Sequence, residues 1–393
     1  MAPSRPCITA EERRRRLAVR HHLAPAARAA TVEVVAGSLT ALHGTDPATV
    51  HLAAGARLTG PAGPVAAMER ALYEDRTLVR MHGMRHTVFV VPTALAPVVQ
   101  SSTTHAVAAR ERATLVKQLK AGSAFDEAWL TDVEESVLAA LERRGEATAA
   151  ELAQDEPRLR ERFVHAPGTG YEQLQSVSSR LLRLLGTENR VVRGRPLGSW
   201  TSSQFRWAIA PALPELPVAE AQSTLVRHWL AAYGPATEAD LKWWTGWRVT
   251  DVRRALGAVG ALDVDLGDGT GHVLPGDTGP TEAPEPWAAF LPALDPTAMG
   301  WRRRDWYIDP DPAHHAALFD RSGNIGPTVW WNGAVIGGWA QRPDGELVWK
   351  TLTDPGREAL AAVEAEAARL HSWLGGTRVT PRFRTPLERS LSA

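Results

Sequence analysis

The sequence predicts a mainly α-helical protein with β-hairpins attached, an α+β chain that ends in a β-rich domain. Three observations predict it. Three stretches share one outline, helices followed by a short alternating hairpin. A Pro/Gly/acidic run, GDTGPTEAPEP at 276–286, then reads as a linker. Beyond it, Val- and Trp-rich segments are joined by Asn-Gly and Asp-Gly, the pairs that close tight hairpins. A chain of 393 residues also exceeds one ordinary domain, and about two to four compact units are expected.

The first unit is placed at 8–100. Residues 11–22 (EERRRRLAVRHH), 31–42, 47–58 and 63–74 carry helical spacing of apolar residues. RTLVRMHGMRHTVFVV (76–91) then alternates with period two around Gly83, and Pro92 ends the hairpin. The second unit, 125–210, opens with a helix bearing Leu130, Val133, Val137, Leu138 and Leu141 on one face. Thr148 followed by Glu151 is a capping box. A helix is predicted over 171–185, and a hairpin over 190–207 around Gly194 to Gly198. The third unit, 219–276, has a helix at 224–233 ended by Gly234-Pro235. Two short helices follow, N-capped by Thr237 and Thr250, and then a hairpin around Gly267-Asp268-Gly269. The last unit, 287–393, has strands near 289–296, 328–340 and 346–350 and an amphipathic helix over 355–374.

Helix, short turn, helix, hairpin is the winged-helix plan. The second helix of the turn can lie in the DNA major groove while the hairpin wing touches the backbone or the minor groove. Winged helices also serve as protein-interaction modules, so the plan alone leaves both roles open.

Composition narrows the classes. Cys7 is the single cysteine, which excludes an internal disulfide and a cysteine zinc site. No apolar run reaches the roughly 18 residues that a membrane helix needs, and the charged first 20 residues carry no signal-peptide core. A cytoplasmic, monomeric protein without membrane contact is the expectation. Net charge is zero. Residues 1–210 nevertheless hold 27 Lys+Arg against 21 Asp+Glu, leaving 17 against 23 for the rest. A basic front half suits a polyanion. The basic residues are nearly all Arg, which suits bidentate phosphate contacts and also follows from GC-rich coding. No phosphate-binding Gly-rich loop, GxSxG or HExxH motif occurs, and the pairs His21-His22 and His314-His315 lack a third ligand. Neither a metal nor a small-molecule cofactor is expected.

One junction stands apart. ALHGTDP (41–47) carries His43, Thr45 and Asp46 where one helix gives way to the next. Helix capping accounts for Thr45, Asp46 and Pro47 and leaves His43 unexplained. On the first hairpin, Arg80, His82, Arg85 and Thr87 are candidates for phosphate contacts, or for an exposed strand face. The run Arg13 to Arg16 reads as a solvated helix face or as phosphate contacts. Trp243, Trp244 and Trp247 read as core and rim of a small domain, or as a base-stacking surface.

LTALHGTDPATVHLAAGARL (39–58), MRHTVFVVP (84–92), FLPALDP (290–296) and NGAVIGGWAQ (332–341) together resemble the winged-helix DNA glycosylases of the AlkZ and YcaQ type. The likeness covers most of the chain. It implies three tandem winged helices in a C shape around double-stranded DNA, with a C-terminal β-rich domain. It also implies hydrolysis of the N-glycosidic bond of bulky N7- or N3-alkylated purines without a cofactor, serving either crosslink unhooking or self-resistance to a DNA-alkylating natural product. The family's signature at the junction is Gln-x-Gln or Gln-x-Asp, and here the two positions are His43 and Thr45. Activity by altered chemistry, a different substrate, or DNA binding without catalysis all fit that departure.

The chemistry asks for a water held near the anomeric carbon and for stabilisation of an oxocarbenium-like transition state. His43, with an ordinary pKa of about 6.5, is expected to take a proton from that water at neutral pH. Thr45 is expected to hydrogen-bond the water. Asp46 is expected to supply negative charge and to act as the alternative base.

Overall fold

The computed structural model describes residues 5–60 and 64–393. Helices take 46% of the described residues and strands 18%, in keeping with a mainly α fold that carries short sheets.

In the first unit, helix Ala10–Arg20 is capped by Thr9, whose hydroxyl accepts the Glu12 N–H. Helix Val32–Ser38, capped by Thr31, ends sooner than its apolar spacing suggests. Thr40 takes a left-handed backbone (φ 62°), and Leu42–His43 becomes a strand instead of the last helical turn. Helices Pro47–Gly55 and Pro64–Tyr73 and strands Leu78–His82 and Val88–Pro92 follow. The expected start of the fourth helix, residue 63, lies outside the described residues. Strand Val88–Pro92 is central in a three-stranded antiparallel sheet, with Leu42–His43 on one edge and Leu78–His82 on the other. Val35, Leu39, Leu42, Val50, Met68 and Val90 form the core beneath it.

The same order recurs. Helix Glu127–Arg144, strand Glu146–Ala147, helix Ala149–Asp155, helix Val177–Thr187 and strands Val191–Pro196 and Phe205–Ile209 again put the last strand in the centre. The Thr148–Glu151 capping box is present. The helix predicted from 171 begins only at Val177. Gln173–Ser176 pairs with Arg162–His165 as a separate hairpin, which satisfies its backbone groups across strands. In the third repeat, helices Val218–Tyr233, Glu238–Thr245 and Val249–Ala258 precede strands Leu262–Asp265 and Thr270–Val273. The first strand shrinks to one bridge, Ala236 with His272. Thr237 caps as predicted, whereas Arg248, not Thr250, precedes the next helix, and no side chain caps it.

Between the first two repeats runs helix His105–Gly122, in a stretch where no element is expected from the sequence. It starts from a π-helical turn, Gln100–Thr104. The C-terminal part holds a four-stranded antiparallel sheet in chain order, Ala288–Leu291, Thr328–Trp331, Ala334–Gln341 and Leu347–Thr351. Helix Arg357–Leu374 packs on it, with Val363, Leu370 and Leu374 against Phe290, Val329 and Trp339.

Burial decides two sequence expectations. Trp244 and Trp247 are core residues in a cluster with Trp229, Tyr233 and Trp301, with Trp243 partly buried against it, which is the core-and-rim arrangement expected. The Arg13–Arg16 run is not a solvated face. Arg16 is buried and paired with Glu12 and Asp277, and Arg13 is buried with its guanidinium 4.0 Å from the Trp306 ring centroid.

Candidate functional site

The junction is built by the short strand. His43 pairs with Phe89, and the Gly44 N–H donates to the Val88 carbonyl at 2.8 Å, so this backbone lies flat against the central strand. A Cβ on Gly44 would meet the Phe89 carbonyl carbon at 3.3 Å, which is why a glycine fits there. Chain extension then places residues two apart on one side. His43 and Thr45 both line a cavity of about 590 Å³. Asp46 does not line it. Asp46 caps helix Pro47–Gly55, one carboxylate oxygen accepting the Ala48 N–H at 3.0 Å and the other the Arg382 N–H at 2.9 Å. The cap at this junction is therefore Asp46, and Thr45 is left free of capping.

His43 is 7% exposed, with its ring 5.4 Å from that of Phe89. Its Nδ1 is buried, and neither ring nitrogen has a hydrogen-bond partner among the described residues. Burial, with Arg85 nearby, pushes its pKa down to about 3. The imidazole is therefore neutral at physiological pH, and the expected ordinary titration near 6.5 is corrected. A neutral imidazole always keeps one ring nitrogen as an acceptor, whichever tautomer is present.

The four hairpin candidates separate. His82 and Thr87 line the same cavity. His82 is buried, and desolvation together with Arg193 pushes its pKa down to about 3, so it too is neutral. Arg80 is not on an exposed strand face. It is 7% exposed and donates Nη1–H to the Gly44 carbonyl at 2.9 Å, bracing the peptide between His43 and Thr45 from behind. Arg85, in a left-handed conformation (φ 53°), lays its guanidinium 4.1 Å from the Trp243 ring centroid. It lines a second cavity of about 630 Å³, not the first. His86 lines both, held by the Arg183 guanidinium at 3.1 Å and facing the Thr187 hydroxyl at 3.2 Å.

The rest of the first cavity comes from residues outside the candidates that the sequence offers. The second repeat supplies Ser176, Arg183, Arg193, Phe205 and Trp207, and the C-terminal part supplies Leu294, Asn324, Arg382 and Phe383. Among the described residues no carboxylate lines it. No group of three or more His, Cys, Asp or Glu is arranged to hold a metal among the described residues. The local sequence signal for Arg193 was its place in the predicted 190–207 hairpin. Nothing local pointed to Arg382.

A family model described as DNA glycosylase AlkZ-like matches residues 36–373, spanning the junction, the first repeat from the end of its second helix onward, the second and third repeats and most of the C-terminal part. This chain belongs to the AlkZ-like DNA glycosylase family. An interstrand DNA cross-link repair glycosylase of Streptomyces sahachiroi is 30% identical over 177 residues, which are 42% of this chain and 46% of that protein. The match thus spans less than half the length of that relative. The solved structure of the Streptomyces sahachiroi DNA glycosylase AlkZ has the same fold as this AlkZ-like chain, with a TM-score of 0.71 at 21% identity over 96% of this chain and 99% of that one.

Proposed function

We propose that this AlkZ-like chain is a monofunctional DNA glycosylase that hydrolyses the N-glycosidic bond of bulky N7- or N3-alkylated purines in double-stranded DNA, interstrand crosslinks included. The observation that carries the reading is a neutral, unpartnered imidazole, His43, beside Thr45 on the wall of a cavity with basic walls. In this reading the three repeats are winged-helix units at 8–100, 125–210 and 219–276. With the C-terminal domain at 287–393 they form a C around the duplex, and a monomer acts at the nucleoid.

An alkylated purine carries positive charge and leaves readily, so the sugar becomes an oxocarbenium ion before strong nucleophilic help is needed. A base with a pKa near 3 is too weak to take the water's proton early. His43 instead accepts a hydrogen bond from the water through its free ring nitrogen, while Thr45 holds the same water from two residues away. Once the water oxygen has bonded to the anomeric carbon, the strongly acidic oxonium proton passes to the His43 nitrogen and on to solvent, and the purine departs neutral. The partial negative charge of the acceptor faces the developing cation. A glutamine carbonyl would offer the same acceptor, which explains how a histidine serves at a Gln-x-Gln position. Asp46, with both oxygens engaged by backbone N–H groups, is a structural clamp in this scheme.

The second reading is a DNA-binding protein without catalysis, favoured by the absence of a carboxylate among the described residues lining the cavity. Release of an N7-alkylguanine from duplex DNA decides between them. The proposal expects release by the wild type, a loss of about tenfold or more (roughly 1.4 kcal/mol) in His43→Ala, and partial recovery in His43→Gln. Salt-sensitive duplex binding with no release from small or bulky adducts would establish the second reading.

A further inference from the structure

Four arginines around the junction have no carboxylate partner among the described residues, and they come from three parts of the chain. Arg80 leaves Nε and Nη2 buried without a hydrogen bond. Arg193 places its guanidinium 4.5 Å from the Phe205 ring centroid and 5.8 Å from that of Trp207, and donates no hydrogen bond among the described residues. Arg382 uses its backbone N–H for Asp46, and its guanidinium is unpaired. Arg183 reaches only the His86 ring. Elsewhere among the described residues, buried Arg57 is matched by Asp295 and buried Arg16 by Glu12 and Asp277, whereas buried Arg13 lies over the Trp306 ring with Nε and Nη2 unbonded.

Converging like charges without a counter-ion is unfavourable, the more so where water is excluded. Burial and the neighbouring Arg80, Arg382 and Arg183 push the Arg193 pKa down to about 10. Such a cluster is relieved when an anion enters. The space for one is present. Thr45, Arg193, Phe205 and Arg382 line both the 590 Å³ cavity and a void of about 20 Å³ that Arg80, Ser202 and Ser203 close from behind. Arg193 lies against the Phe205 ring, which leaves the edge of its guanidinium free to make paired N–H···O bonds.

We propose that Arg193 and Arg382, backed by Arg80, seat one phosphodiester of the DNA strand beside Thr45, in register with the nucleotide whose sugar lies at His43. The inference rests on the glycosylase reading and names the substrate group that aligns the strand with the junction.

The test uses a duplex with a tetrahydrofuran abasic analogue, in which one phosphate at a time along the damaged strand is replaced by a neutral methylphosphonate. Binding is measured by fluorescence anisotropy for the wild type, Arg193→Ala, Arg193→Lys and Arg382→Ala. At one or two adjacent positions the replacement weakens the wild type about tenfold (roughly 1.4 kcal/mol) and costs Arg193→Ala and Arg382→Ala nothing further. Arg193→Lys keeps part of the sensitivity. Each alanine variant lowers the slope of log affinity against log salt by about one. A wild type indifferent to every replacement, or variants as sensitive as the wild type, overturns the seat. Thermal melts are run on each variant, and Arg382→Ala, at an exposed position, carries the test if Arg193→Ala does not fold. Base release is assayed separately. Coupling without release keeps the seat and overturns the glycosylase reading, while release without coupling overturns the seat alone.

Discussion

At the residue scale, the decisive quantity is the charge state of His43. An imidazole titrating at its ordinary value would give a base-release rate that falls below about pH 6.5. With the pKa pushed to about 3 by burial, the rate of release of a cationic adduct is expected to be flat between about pH 5 and 8. A pH–rate profile at saturating duplex checks this, and an inflection near neutrality that vanishes in His43→Gln would contradict it. Thr45 is the other test at this scale. Its hydroxyl has no capping duty, because Asp46 caps the helix. Thr45→Val should therefore slow release while leaving the thermal midpoint close to that of the wild type.

At the scale of elements, the junction depends on three supports: the Gly44 N–H on strand Val88–Pro92, the Arg80 guanidinium on the Gly44 carbonyl, and the Asp46 clamp. Asp46→Ala removes the cap of helix Pro47–Gly55 and strands the Arg382 N–H. A loss of about 1–3 kcal/mol in unfolding free energy is expected from the cap and the orphaned donor together. Asp46→Asn keeps the cap oxygen and should lose less. Urea titrations measure both, and release per folded molecule should stay within a few-fold of wild type. A collapse of activity in well-folded Asp46→Asn would restore the carboxylate to the chemistry. The Met84–His86 turn belongs here as well. Its left-handed Arg85 and His86 aim the two side chains apart, one onto Trp243 and one onto the second repeat. Period-two spacing along a straight strand would have put alternate side chains on one face.

At the scale of the whole molecule, the first repeat is fastened to the C-terminal part by a wholly buried ion pair. Arg57 donates Nη1–H and Nη2–H to the two Asp295 oxygens at 2.9 and 2.6 Å, and a further N–H to the Thr297 hydroxyl at 2.8 Å. Arg57→Met leaves Asp295 buried and unpaired, with an expected cost of about 3–5 kcal/mol. The double variant Arg57→Met/Asp295→Leu should recover much of it, as read from denaturant unfolding. Four buried histidines set the acid limit of the fold. His43, His51 and His82 are pushed to about 3, and His21 well below its ordinary value, all chiefly by desolvation. These groups bind protons in the unfolded chain below about pH 6.5 but not in the folded one, so stability falls as pH drops below that value, by about 1.4 kcal/mol per pH unit for each group. Above it they contribute no pH dependence. Unfolding midpoints between about pH 4 and 7 check the slope, and replacing His51 by an apolar residue should make it shallower.

What is legible in the sequence is local. Helical spacing, the Thr148–Glu151 box, the Asn332-Gly333 turn and the alternation of 76–91 each involve residues within a few positions of one another. Those interactions form in the same way wherever the segment sits. The junction was legible for the same reason, since Thr, Asp and Pro in succession announce a helix start and leave a histidine over. What lay beyond the sequence depends on partners far along the chain. Whether Gln173–Ser176 is helix or strand turned on pairing with Arg162–His165. Whether Arg80 faces solvent turned on packing against the junction. The cavity joins Thr45 to Arg193 and Arg382, side chains nearly 150 and more than 330 positions away. That Asp46 clamps while His43 and Thr45 face the cavity follows from long-range packing, with Arg382 supplying one of the Asp46 contacts. Only burial decided that His43 is neutral, because desolvation is a property of the assembled fold and not of the residue.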